Sequence, residues 1–206
     1  WHQYLTGTGV YDSQQGLIDE GDSDLAMGLL ESGFRDPKQI EGIVKSARNS
    51  GFTKSDDVAQ LAKGWKSVTP EMESKILYGA RKSPNKNQLI GAHSPKVKNH
   101  PDYEVEVIKT NPDGTQNVKL IKQYGDGNVS NIKSSTLYPD AWSDEKITNS
   151  VRYVGQNPKV ATRASDGATL HKGKVDGVEM DVIKQGDDVI SGYPTGGSGG
   201  MDPSTF

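Results

Sequence analysis

The chain reads as an α+β protein, with a small helical unit followed by a domain of antiparallel hairpins. Three observations predict it. From Asp22 to Leu77 the apolar residues recur at helical spacing behind two aspartate- or threonine-proline starts. After Asn85 the alternation switches to period two. The strands so marked are joined by short Gly/Asn/Asp turns and not by helices, which argues against a parallel doubly wound sheet.

Residues 1–20, rich in Gly, Gln and Ser, show little periodicity and read as an unpatterned start. Asp24-Leu25-Ala26-Met27-Gly28-Leu29-Leu30 is the apolar cluster of a first helix, which ends at Gly33. Asp36-Pro37 begins a second, with aspartate as cap and proline at the first helical position; its apolar face is Ile40, Ile43, Val44 and Ala47, and Gly51 closes it. A third helix after Lys54 carries Val58, Leu61, Ala62 and Trp65. Thr69-Pro70 repeats the start signal for a fourth, with Met72, Ile76 and Leu77 inward. Further on, Tyr103 to Ile108 alternates, Asn111-Pro112-Asp113-Gly114 turns, and Gln116 to Gln123 returns as the hairpin partner. Ser143 caps a short helix through Val154, and Tyr138 and Trp142 read as core. The end is a three-stranded meander near residues 168–174, 177–184 and 188–193. The predicted division is a helical region over 1–82, an α+β domain over 83–195, and a flexible glycine-rich tail over 196–206.

Composition narrows the function classes. Of 206 residues none is cysteine, which removes disulfides, thiolate metal sites and cysteine nucleophiles together. A cysteine-free chain crosses oxidising and reducing compartments unchanged, which suits an exported protein and fits an ordinary cytosolic one equally. No apolar run is long enough to span a membrane, and the start at Trp1 in place of a methionine, with no signal-peptide pattern, suggests a fragment of a longer polypeptide. The net charge of −3 is evenly spread, so any nucleic-acid contact must be local, a few nucleotides in a cleft. Asp187-Asp188 beside Gly186 reads as a turn; no metal cluster and no cofactor site are evident. Lys96, Lys98, Lys119 and Lys122 read as solvated charges.

Four stretches in order carry a resemblance. They are Ile90-Gly91-Ala92-His93-Ser94-Pro95, then Lys133-Ser134-Ser135-Thr136-Leu137-Tyr138-Pro139-Asp140-Ala141-Trp142, then Asp176-Gly177-Val178, and last Ile190-Ser191-Gly192-Tyr193-Pro194-Thr195. Together they resemble the bacterial EndoU nuclease family, found as the C-terminal toxin of contact-dependent growth inhibition proteins. The resemblance implies an RNase A-like α+β fold and metal-independent endoribonuclease activity, with no cofactor. It also implies a secreted, monomeric toxin that acts in the target-cell cytoplasm on RNA, with tRNA and uridine preferred, and a cognate immunity protein that blocks it.

The family's reaction is attack of a 2′-hydroxyl on the adjacent phosphorus, which needs a base, an acid and a cation. The resemblance assigns His93 to proton transfer and Lys133 to the developing charge, with Ser191 and Tyr193 gripping one nucleotide from a shared strand face. The family's second histidine, upstream of His93, has no counterpart: Lys75 stands in its place. Among the remaining histidines His2 is set aside, His171 on the C-terminal meander is the first choice, and His100 is the alternative. A non-catalytic binding or adhesin module on the same fold, which the departure at Lys75 favours, and another toxin enzyme such as a DNase are the competing readings.

Overall fold

The structure is a computed structural model that describes residues 22–206 with their side chains, and before them the backbone of three short strands and the start of the first helix. His2 lies outside the described residues. The strands β1 (Gln3–Thr6), β2 (Gly9–Asp12) and β3 (Gly16–Ile18) form an antiparallel sheet, so the start of the chain is patterned where the sequence suggested none. Tyr4-Leu5, Val10-Tyr11 and Leu17-Ile18 are β-favouring pairs too short to show a period.

Four helices follow: α1 (Glu20–Glu31), α2 (Pro37–Asn49), α3 (Ser55–Lys63) and α4 (Pro70–Tyr78). The starts of α2 and α4 are set as expected. The Asp36 carboxylate accepts from Lys38 N at 3.0 Å, and Thr69 Oγ1 accepts from Met72 N at 3.2 Å. After α4, β4 (Ala80–Arg81) and β5 (Leu89–Ile90) pair briefly, and a 3-10 turn, η1 (Pro95–Asn99), leads into β6 (Tyr103–Thr110), β7 (Gln116–Lys122) and β8 (Lys133–Leu137). These three make an antiparallel meander in the order β6-β7-β8. The chain then forms α5 (Asp144–Val154), capped by Ser143 as expected, and the strands β9 (Ala161–Thr162), β10 (Thr169–Val175), β11 (Val178–Gln185) and β12 (Asp188–Pro194). The last four form one antiparallel sheet, ordered β12-β11-β10-β9.

The helices and the β9–β12 sheet share one core. Ile40, Ile43, Leu61 and Ile76 from the helical part belong to the same buried cluster as Ile147, Val151, Met180 and Val182. Helix α5 is the bridge, packing on α2 and α3 on one side and on β10–β12 on the other. A buried polar network reinforces it: Asn149 Nδ2 donates to Ser46 Oγ and Ser50 Oγ, both at 2.8 Å, while Arg152 Nε donates to the Trp65 carbonyl at 3.1 Å. An apolar core continuous across residue 82 leaves no linker there.

The glycine-rich tail is folded back and not free. The main-chain N–H of Met201 donates to the fully buried Asp181 carboxylate at 2.7 Å, Lys172 Nζ donates to the Gly199 carbonyl, and the Phe206 ring lies under the Arg163 guanidinium. Four glycines at positive φ, among them Gly196 and Gly200, turn the chain around that carboxylate. Among the described residues no helix is long and apolar enough to cross a membrane.

Candidate active site

The two larger sheets approach each other at β8 and β12, and the loop between β5 and η1 enters the gap. That loop is fastened to the end of α4. The last turn of any helix leaves carbonyls without partners. Here those of Ile76 and Leu77 accept from the N–H groups of His93 and Ser94 at 2.9 and 3.0 Å, and the Lys75 carbonyl, which already accepts from Gly79 N, takes the Ala92 N–H as well at 3.3 Å. The approach is so close that a Cβ on Gly91 would lie 1.9 Å from the Lys75 carbonyl oxygen, and Gly91 has φ 80°. Ala92 follows at φ 64°, a left-handed conformation that costs an ordinary residue about 1 kcal/mol. The two left-handed residues aim His93 into the gap. Ser94 then caps η1 and donates to Asp144 at 2.7 Å, so each residue of the Gly-Ala-His-Ser-Pro stretch has a local task.

His93 is 8% exposed. Its Nδ1 lies 2.9 Å from the Thr136 carbonyl and 3.1 Å from Ser135 Oγ. A carbonyl only accepts, so the proton sits on Nδ1 and the lone pair on Nε2. Burial, with the Lys133 charge adding to it, holds the ring's pKa down at about 3, and it is neutral at pH 7. Lys133 opens β8 and shares a strand face with Ser135 and Leu137. Its Nζ donates to the Gly91 carbonyl, and burial together with repulsion from Lys75 brings its pKa to about 8. Lys75, near the end of α4, donates to the Ile190 carbonyl at 3.1 Å, and burial lowers its pKa too. Neither lysine has a carboxylate partner among the described residues.

On β12, Ser191 and Tyr193 share a face, as strand alternation requires. The Tyr193 ring centroid is 6.1 Å from that of His93. Its hydroxyl donates to Asp181 at 3.4 Å, and burial with that carboxylate pushes its pKa up to about 12, so the phenol keeps its proton. Between them Gly192 faces α5, where a Cβ would meet Val151 at 2.8 Å. Two hollows meet at His93: a groove of about 440 Å³ with Tyr193, Asn117 and Thr136 in its wall, and a smaller one of about 150 Å³ lined by Lys75, Ser191 and Gly91.

His93, Lys133, Ser191 and Tyr193 are therefore brought together, and His171 and His100 are not. His171 pairs with Val182, which pairs with Gly192. It thus lies on the α5 face of the sheet, opposite to Ser191 and Tyr193. Both its nitrogens are engaged, Nδ1 with the Asn157 carbonyl at 2.6 Å and Nε2 with Thr169 Oγ1 at 2.8 Å, and burial lowers its pKa. His100 caps the end of η1, where its Nδ1 accepts from Asp102 N at 3.1 Å and its ring meets the edge of Tyr103. A shared sheet is not a shared face: counting in twos across both hairpins puts His171 on the side opposite to Tyr193. The lysines read as solvated divide: Lys96 and Lys119 are exposed, while Lys98 and Lys122 are partly buried and bonded to Gln116 and to the Tyr78 carbonyl. Sequence reasoning also left out Asp181, the buried anchor of Tyr193, and treated Lys75 as a departure although it lies in the site. Only the place of Lys75, one helical turn before Gly79, signalled it.

The sequence profile of the bacterial EndoU nuclease family matches residues 69–196. The chain belongs to the bacterial EndoU nuclease family. The match begins at the cap of α4, so that helix lies within the EndoU region. No curated protein sequence matches the chain. Among solved structures the EndoU chain is similar to the endoribonuclease Nsp15 of Middle East Respiratory Syndrome Coronavirus, at 15% identity and a TM-score of 0.42. That likeness covers 68% of this chain and only 37% of the viral one. Among the described residues no three His, Asp or Glu side chains converge as metal ligands would.

Proposed function

We propose that this EndoU nuclease cuts RNA at the groove around His93 by in-line attack of a 2′-hydroxyl, leaving a 2′,3′-cyclic phosphate. The observation that carries the reading is a neutral histidine with one nitrogen available, beside two lysines that lack carboxylate partners. Two half-buried like charges repel each other, and a phosphate placed between them relieves both. Lys133 meets the charge that develops on phosphorus, and Nε2 of His93 takes the proton of the 2′-hydroxyl. Tyr193 offers an aromatic face to a base, held by Asp181, and Ser191 supplies a hydroxyl on the same side. Uridine is the base we assign to this face, as the family resemblance implies. The chain's net charge of −3 confines binding to a few nucleotides, as an exposed anticodon or other tRNA loop would offer.

The wider reading is an antibacterial toxin, delivered from a secreted parent into another cell and neutralised in the producer by an immunity protein. The chain's lack of cysteine supports it. Purified protein incubated with total bacterial RNA, with and without EDTA, tests the chemistry. Discrete fragments ending in cyclic phosphate are expected under both conditions, with loss of about 10³-fold or more in His93→Ala. Intact RNA, or cutting unchanged in that variant, overturns the assignment. Induction in a bacterial cytoplasm is expected to stop growth with the wild-type chain and not with His93→Ala.

A further inference from the structure

We propose that Lys75 is the proton donor of the reaction, giving an Nζ proton to the 5′-oxygen that leaves as the RNA strand is cut. The inference deepens the nuclease reading and rests on it. A two-sided proton transfer needs an acid as well as a base, and among the described residues His93 is the one histidine in the groove. Its Nδ1 proton is committed to the Thr136 carbonyl and its ring is neutral, so it is built to take a proton and not to give one. The acid must therefore be another group that carries a proton at pH 7.

Two lysines qualify by charge, and their surroundings separate them. Lys133, its Nζ on the Gly91 carbonyl, is the fixed cation already assigned to the charge on phosphorus, so the proton for the leaving oxygen falls to the other lysine. Lys75 lines the smaller hollow together with His93 and Ser191, and has spent one of its three protons, on the Ile190 carbonyl. The main chain fixes its distance from His93, since the Lys75 carbonyl receives the Ala92 N–H and the next carbonyl receives the His93 N–H. The groups that face Lys75 are Lys133 from β8, His93 from the loop, and Ser191 and the Ile190 carbonyl from β12. None is acidic, so nothing holds its proton against transfer.

The step balances. The 2′-oxygen bonds to phosphorus as its proton passes to Nε2 of His93. The bond from phosphorus to the 5′-oxygen breaks, and that oxygen takes the proton of Lys75. The products are a 2′,3′-cyclic phosphate and a 5′-hydroxyl; His93 ends charged and Lys75 neutral, and exchange with water restores both.

A pair of substrates isolates the donor. Uridylyl-adenosine has an alkoxide leaving group that needs protonation, whereas uridine 3′-(4-nitrophenyl phosphate) has one that departs without it. Lys75→Ala is expected to lose about 10²- to 10³-fold in kcat on the first and under about 10-fold on the second. Lys75→Arg, which keeps the charge but is a far weaker acid, is expected to show the same contrast, and Lys75→His to recover part of the loss with its optimum moved to lower pH. His93→Ala loses both substrates alike. Circular dichroism and Tm report folding, and Lys75→Gln serves if the alanine variant fails to fold. Equal losses on the two substrates, no loss on either, or the leaving-group contrast appearing in His2→Ala would falsify the role of Lys75. A wild-type chain inert on total RNA and on both substrates would instead strike down the nuclease reading itself.

Discussion

His93 and Lys133 are perturbed in the same direction, for the same reason: both are bases buried where a positive charge is unwelcome. Their effects on activity fall at opposite ends of the pH scale. Lys133 must be charged to meet a phosphate and has a pKa of about 8, so kcat/KM is expected to be level near pH 7 and to fall above pH 8; Lys133→Arg should move that fall upward. A pH–rate profile on a dinucleotide checks it. His93 gives a stability effect. Its folded pKa of about 3 lies below the ordinary 6.5, so between those values the unfolded chain binds a proton that the folded one does not. Stability therefore falls as pH drops through that window, by up to about 1.4 kcal/mol per pH unit from this group. His93→Gln should flatten the slope in denaturant titrations at pH 6 and pH 4, and the wild-type ring signals should not titrate by NMR between pH 8 and pH 5.

At the scale of elements, the site is made by one helix end, one loop and two strand faces. Much of this was legible because its signals are local. Thr69-Pro70 announced α4, the Ser143 cap announced α5, and Asp176-Gly177 and Gly186-Asp187 announced the turns of the meander. Two features were not. Strand β8 is Lys-Ser-Ser-Thr-Leu, with one large apolar residue in five, so its alternation is hidden among hydroxyls; its inward face is visible only through Leu120 and Val118 of the neighbouring strand. The clamp of α4 on the loop is a contact of backbone with backbone, to which side-chain patterns are blind. Glycine alone marks it. Gly91→Ala should cost more than about 2 kcal/mol and abolish activity, because a Cβ there overlaps the Lys75 carbonyl at a positive φ. Gly192→Val should push β12 off Val151 and lower Tm, measured by thermal melting beside Gly125→Ala, where no atom stands within 4 Å.

Over the whole molecule, the matched family region and the helices before it share one apolar core. Burial of Leu29, Ile43 and Leu61 in the same cluster as Val151 and Met180 means that a fragment beginning at residue 69 would expose a broad apolar face. That fragment is expected to be aggregated or molten, as dye binding and loss of near-ultraviolet dichroism would report, while the full chain melts in one transition. Sequence reading placed a boundary at residue 82 because the period changes there. A change of period marks a change of element and says nothing of which surfaces meet. The tail misled for a related reason: glycines that look like a linker are the turns that wrap Asp181.

The main-chain clamp between α4 and the His93 loop has a consequence for how such a site changes over time. Because carbonyls and amides hold the loop, the side chain at position 75 takes no part in aiming His93. That position is a socket whose occupant can be exchanged for another proton carrier while the rest of the site keeps its shape. A lineage can then retune the pH at which it cuts through one codon, with no compensating change elsewhere.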